Sequence, residues 1–337
     1  MLKHWKLPGL FTFMCLAPAV FAASACPAIV DSALDAVDAF CQDAGRNQAC
    51  YGNVDMEVEA QPDAGNFKFD QVGDIVNVSA IQRLKLSPMD EATDAWGVAL
   101  MNLQANLPDT LPGQNITFLL FGDVEIENAV PVEEREDFSP MQAFFLRTGI
   151  GDAACEEAPD SGLLVQTPEG SGEVLFNVNG VDVHVGSTVL FQAEPEGDMM
   201  ISPIEGSATM DIEGEVYTAI AGTRLRIPMT RLMFPAGRPR PLEIYEDRLI
   251  QTLPIRIMKR RIEMQRPLTR AQMRRVLNRI RTGEALCGEA PFPPCEKLAA
   301  IAGGAACIYS EGRFMNRPRI QSLRQRFCED APASTQP

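Results

Sequence analysis

Only one histidine, His184, lies beyond the first few residues of the chain, so any Ser-His, Cys-His or multi-histidine chemistry would have to run through it. It stands in GEVLFNVNGVDVHVGSTVLFQ, residues 172–192. Asn179-Gly180 is a strong two-residue hairpin signal, because a type I′ turn needs positive φ at both central positions. That turn pairs Val178 with Val181, Phe176 with Val183 and Val174 with Val185 on one face. Asp182 and His184 then share the opposite face with Leu175 and Asn177. Local spacing sets no serine, cysteine or acid beside His184, so a polar hairpin residue is expected there, not a catalytic one.

The second group that could do chemistry is a set of five arginines, Arg270, Arg274, Arg275, Arg279 and Arg281, within PLTRAQMRRVLNRIRTG. These are the candidate anion-binding residues. No aromatic residue interleaves them for base stacking, which argues against nucleic acid. An anionic envelope polymer is one use for them. The other, and the one expected, is to neutralise acidic β-regions of the same chain. The third group is the cysteines: Cys26, Cys41, Cys50 and Cys155 near the front, Cys287, Cys295, Cys307 and Cys328 near the end. Their even number suits disulfides, and their spacing lacks the close C-x-x-C pairs of zinc sites. A helix from 27 to 44 would hold Cys26 and Cys41 about 22 Å apart, too far to bond. The expected pairs are therefore Cys41–Cys50 and Cys26–Cys155.

Stretches that could hold a cofactor or metal are few. No P-loop, dinucleotide-binding glycine pattern or H-E-x-x-H is present, and no cofactor is expected. PDAGNFKFDQVGD could offer oxygens to calcium but departs from the calcium-loop pattern and is expected to be a solvated turn. Two convergent carboxylates for a hydrolase could be any of many.

The ends and the charge place these groups. Lys3, His4 and Lys6, an apolar run from Leu7 to Phe21, and Ala23-Ser24-Ala25 have the anatomy of a secretory signal peptide over 1–25. The expected location is secreted, periplasmic or otherwise extracytoplasmic, with no membrane span. Lipid anchoring at Cys26 is the less favoured variant, since it would strand one thiol. A hydrophobic share of 46% over 337 residues fits a globular protein with a sizeable core. The net charge of −15 is uneven: residues 26–223 hold 35 acidic and 6 basic side chains, residues 224–328 hold 8 and 22. Such asymmetry suggests either a partner surface or internal complementarity.

The expected fold is mainly β, two antiparallel sandwich-like β-domains framed by helices. Residues 26–53 should form an amphipathic helix (27–44, with Ile29, Ala33, Val37 and Cys41 recurring every four) and a polar cysteine-containing turn, GRNQACYGN. Alternating runs separated by Pro/Gly/Asn/Asp turns predict a first β-domain over 54–158 and a second over 159–230. Residues 231–267 are expected to be a Pro/Arg-rich linker. Residues 268–330 should be a helical, cysteine-stapled module, and 331–337 a disordered tail. Its clearest helix opens with capping-box spacing at Thr269 and Gln272, carries Met273, Val276, Leu277 and Ile280 as an apolar stripe, and stops at Gly283.

Asn179-Gly180, Gly186-Ser187-Thr188, Glu205-Gly206 and Ala221-Gly222-Thr223 before Leu225 and Ile227 give residues 160–230 a resemblance to the extracytoplasmic β-domain of the FecR family. It covers about a fifth of the chain and rests mostly on turn glycines. FecR regulators carry a cytoplasmic segment and a membrane span, where this chain has a signal-like start, so the sigma-factor role is not carried over. The whole layout, with C-x(14)-C-x(8)-C-Y-G-N at the front, also resembles uncharacterised exported proteins of Chloroflexi-type bacteria. The expected function is non-enzymatic binding or structural support at the cell envelope or exterior, with an unknown protein or an anionic polymer as partner. The alternatives are an envelope sensor or regulatory partner, by analogy with the FecR-like domain, and a carboxylate-dependent hydrolase.

Overall fold

The computed structural model describes residues 25–104, 115–130, 138–149, 158–169, 173–212 and 214–293. Two sheets dominate it, with strands numbered in chain order. The larger runs β17 (Glu243–Ile244), β16 (Thr223–Pro228), β13 (Asp198–Glu205), β12 (Thr188–Ala193), β9 (Gly162–Gln166), β6 (Ile116–Phe121), β5 (Val98–Leu103), β1 (Gln48–Tyr51), β3 (Ile75–Asn77). The smaller runs β15 (Glu215–Ile220), β14 (Ser207–Ile212), β11 (Val181–Val185), β10 (Val174–Val178), β8 (Ala143–Thr148), β7 (Val124–Asn128), β4 (Ile81–Leu86), β2 (Met56–Ala60). Mainly β, sandwich-like architecture is what the short alternating runs predict.

The two sheets differ in burial, and the sequence shows why. β5, β6, β9 and β12 are buried at every position. Their alternate side chains go to different cores. Met101, Phe118, Leu120, Val165 and Phe191 meet the smaller sheet, while Leu100, Leu119, Phe121, Leu164 and Leu190 meet helix α1 (Cys26–Phe40) and the 245–262 segment. A strand covered on both faces needs a continuous apolar run, as in ITFLLF, instead of alternation. Among the described residues the smaller sheet's outer face is only partly covered, and its strands alternate, with β10 and β11 burying Val174, Phe176, Val178, Val181, Val183 and Val185.

Strands from 54–158 and 159–230 pair directly in both sheets. β6 is antiparallel to β9, and β8 runs parallel to β10 through Asn177↔Ala143 and Val178↔Phe144. One apolar core runs through both segments, so the division expected near residue 158 is not a gap in the packing. The GRNQACYGN stretch, expected to be a polar turn, contains β1, whose Ala49, Cys50 and Tyr51 are buried between β3 and β5. Four residues flanked by turn formers were too short to show a period.

Helix α1 buries Ile29, Val30, Ala33, Leu34 and Val37, the face its spacing predicts, but ends at Phe40 and not at 44. Cys41 is bonded to Cys50 on β1, and the Ala44 carbonyl accepts from the Asn102 amide, so the chain is drawn off the helix toward the sheet. The Cys41–Cys50 pair is as expected. Cys26 and Cys287 are disulfide-bonded too. Cys155, Cys295, Cys307 and Cys328, and with them the Cys26–Cys155 pairing, lie outside the described residues, as do the signal-like start and the rest of the module and tail expected beyond residue 293.

Residues 231–267 are not a free linker. They include β17, the short helix α2 (Asp247–Gln251) and a strap whose Tyr245, Leu249, Ile250, Leu253, Met258 and Ile262 are buried in the second core. The apolar residues spaced through this Pro/Arg-rich stretch make it a covering layer.

Candidate functional site

The Asn179-Gly180 turn has φ of 53° and 77°, the positive pair a type I′ turn requires. The hairpin register is the predicted one, Val174↔Val185, Leu175↔His184, Phe176↔Val183, Asn177↔Asp182 and Val178↔Val181. His184 lies on the outward face between Leu175 and Thr209, and Thr209 shares a hydroxyl hydrogen bond with Thr218. Extending the register by one step sets Glu173 opposite Gly186, on the same face as His184. Its Oε2 is 3.9 Å from His184 Nδ1. The Glu173 side chain is 0% exposed against 24% for His184, and neither carboxylate oxygen has a hydrogen-bond partner. A Cβ at residue 186 would come within 3.0 Å of Glu173 Cγ, so glycine leaves the space the carboxylate folds into.

Burial pushes the Glu173 carboxyl up to about 8, so it carries its proton at neutral pH. Burial also pushes His184 down, against the opposite pull of Asp182 and Asp211. The couple is thus a neutral acid beside a neutral base. The expectation that no acid stands by His184 is corrected: Glu173 does, and the hairpin register was the signal that could have found it. The pair can hold and pass a proton, and the neighbouring hydroxyl, that of Thr209, is hydrogen-bonded to Thr218.

The arginine-rich helix α3 (Arg270–Thr282) forms as its sequence predicts. The Thr269 hydroxyl accepts from Gln272 N–H, the Gln272 side chain accepts from Thr269 N–H, and Gly283 ends the helix at φ 70°. Met273 and Val276 are buried with Leu268, Ile220 and Phe292. Leu277 and Ile280, expected in the same stripe, are 43% and 47% exposed. The helix meets the sandwich with its first turns, and its later residues run past that small core.

The five candidate arginines do different things. The Arg279 guanidinium stacks over the Phe292 ring at 4.0 Å and donates to the Ala285 and Cys287 carbonyls, which fixes the loop after the helix. Arg281 donates to Asn278 Oδ1. Among the described residues, Arg270, Arg274 and Arg275 have no ion pair. A pocket of about 820 Å³ lies along this face, lined by Arg274, Arg275, Asn278, Arg281, Glu289 and Phe292 among others.

The segment before the helix exchanges ion pairs with the sandwich and α1 instead. Arg224 and Arg226 meet Glu243 at 2.5 and 2.7 Å, Arg238 meets Glu215 at 2.9 Å, Arg240 meets Asp198 at 3.1 Å and Arg256 meets Asp35 at 2.8 Å. Arg260 is the best held. Its guanidinium donates to both oxygens of Glu205, at 2.6 and 3.1 Å, and to the Ser187 and Thr188 hydroxyls. Its backbone exchanges two hydrogen bonds with the Gln166 amide. Burial works against the Glu205 charge, but Arg260, Ser187 and the Glu263 N–H outweigh it and hold the carboxyl below the usual range. The expectation that α3 itself neutralises the β-regions is therefore corrected for the described residues. Among the described residues the one α3 arginine near an acid is Arg279, 3.9 Å from Glu284 in the loop that follows the helix.

The PDAGNFKFDQVGD stretch, expected to be a solvated turn, is held by Asp74, whose carboxylate accepts from Asp70 and Gln71 N–H, while its Phe69 is buried against Tyr51. Among the described residues no three metal-ligating side chains cluster, and no helix is long and apolar enough to cross a membrane.

No family model and no curated protein matches the chain. Among solved structures it is similar to one from Parabacteroides distasonis titled as that of "a putative anti-sigma factor", with 11% identity and a TM-score of 0.27. The match covers 43% of this chain and 60% of that one.

Proposed function

We propose that the protein is an exported, non-enzymatic binding protein of the cell envelope or exterior, and that its binding surface is the basic face of α3, directed at an anionic component. One observation carries this reading. Strap arginines Arg238, Arg240 and Arg260 are paired with acids of the sandwich and Arg256 with Asp35 of α1, whereas Arg270, Arg274 and Arg275 have no ion pair among the described residues. Capping at both ends holds those arginines on a rigid scaffold, so little order is lost when they engage a ligand. The signal-like start and the Cys41–Cys50 bond support an oxidising compartment. Support for a non-catalytic role comes from the Glu173–His184 couple: among the described residues the hydroxyl across from His184, that of Thr209, is hydrogen-bonded to Thr218 and not to the histidine.

The test is retention of the intact protein on heparin resin at physiological salt. Wild type should be retained and should elute as salt shortens the Debye length below about 8 Å. The triple change Arg270→Gln, Arg274→Gln, Arg275→Gln should flow through. Retention unchanged in the triple variant would overturn the proposal. The regulatory alternative draws on the FecR-like turns, and a membrane protein co-purifying with the full chain would favour it.

A further inference from the structure

We infer that the anionic partner of α3 is a lipid bilayer surface, on which the helix lies with its arginines at the headgroups and Leu277 and Ile280 at the acyl boundary. This rests on the anion-binding reading above and gives it a partner. At about 100° per residue, Arg270, Arg274 and Arg281 fall within about 40° of one another around the helix. Leu277 adjoins that row, between it and the buried Met273 and Val276, and Ile280, about 60° further round on the Met273 side, is exposed because the helix has by then run past the small core. A soluble polyanion would use the arginines and leave the two exposed aliphatic side chains in water. A sugar polymer would favour an open aromatic face, but Phe292 is covered by Arg279 at 4.0 Å. A bilayer uses both features, since interfacial helices combine Lys/Arg on one side with aliphatic residues that enter the headgroup boundary. The helix carries five arginines and no acid, the charge an anionic surface attracts.

Co-sedimentation of the full chain with phosphatidylcholine vesicles, with and without phosphatidylglycerol, tests this. Wild type should sediment with the phosphatidylglycerol vesicles and remain in solution with phosphatidylcholine alone. Each of Arg270→Gln, Arg274→Gln and Arg281→Gln should weaken binding about fivefold, and Arg275→Gln, on another side of the helix, much less. Leu277→Gln with Ile280→Gln should lose vesicle binding while heparin retention is kept. Those two side chains are exposed, so the variant should melt with wild type. Vesicle binding that survives the Leu277/Ile280 change would overturn the inference. Heparin retention without vesicle binding would overturn it and leave the anion reading standing. Loss of both in wild type would remove both.

Discussion

Glu173 Oε2 sits 3.9 Å from His184 Nδ1 at the start of the β10–β11 hairpin, fully buried and without a hydrogen-bond donor, while the histidine edge still reaches solvent. An orphaned buried carboxylate is costly when charged, and the cheapest cation to neutralise it is a proton. The hairpin therefore carries a proton at neutral pH that the unfolded chain would not hold.

That proton gives a signed stability prediction. The folded carboxyl titrates near 8 against 4.5 for the free group, so the folded state binds more protons between those values. Its contribution is fully present below pH 4.5 and is lost as pH rises through about 8. The loss is of the order of 3–5 kcal/mol, at about 1.4 kcal/mol per pH unit. His184 works in the other direction: its lowered affinity for a proton gives stability that is present above 6.5 and lost as pH falls. Thermal melts at pH 6.5 and 8.5 should show wild type losing stability and Glu173→Gln staying level. A wild-type curve as flat as the variant's would mean that the carboxylate finds a donor.

The two faces of the hairpin should respond very differently to truncation. Phe176 is 2% exposed and packs its ring 5.3 Å from Phe118 and 6.3 Å from Phe144. Phe176→Ala should cost about 3–5 kcal/mol. His184→Ala, which removes a partly exposed ring making no short hydrogen bond, should cost about 0.5 kcal/mol or less at pH 7. Urea melts check both. A larger loss for the histidine change would show that its contact with Glu173 is structural.

The disulfide at the end of α1 should stabilise by closing a short loop. Cys41 and Cys50 are nine residues apart, for which the chain-entropy model gives about 2–3 kcal/mol. Cys41→Ser with Cys50→Ser should lower the unfolding free energy measured by urea melts by that amount, seen as a lower midpoint at an unchanged slope. A changed slope would show that α1 detaches from the larger sheet as a separate unit.

Sequence period made some of this legible. The hairpin register followed from Asn179-Gly180 and the valine alternation, and α3 with both caps from Thr269, Gln272 and Gly283. β1 was hidden because its strand is four residues long and its buried face includes a cysteine already assigned to a turn. The strap was hidden because its apolar residues, Tyr245, Leu249, Leu253, Met258 and Ile262, follow no single period while the chain changes from strand to helix to extended segment. Of the candidate site, the arginines were visible as a cluster. Which of them would be taken up by packing was not, because the Phe292 and carbonyl partners of Arg279 lie in a loop whose path the sequence does not state. Glu173 beside His184 needed one more step of the register across Gly186.

Arg260 and Glu205 tie that strap to the sandwich, and their pairing makes the last prediction. The contact is bidentate and half-buried, reinforced by Ser187, Thr188 and the Gln166 amide. Removing one partner of such a pair leaves the other charge poorly solvated, so Glu205→Gln should cost about 2–3 kcal/mol. The same pairing holds the Glu205 carboxyl below its usual range, so its contribution is present above pH 4.5 and is lost as pH falls through the lower folded value. Acid should therefore loosen residues 258–268 before the sandwich itself melts. Hydrogen exchange is the direct measurement, because Gln265 N–H donates to the Ile204 carbonyl and Leu268 N–H to Gly222. In wild type those two amides should be protected at neutral pH and should lose protection in mild acid. In Glu205→Gln they should already be weakly protected at neutral pH, while the amides of β9 and β12 keep theirs. Equal protection in the two proteins would show that the buried side chains of the strap, and not its ion pair, hold it down.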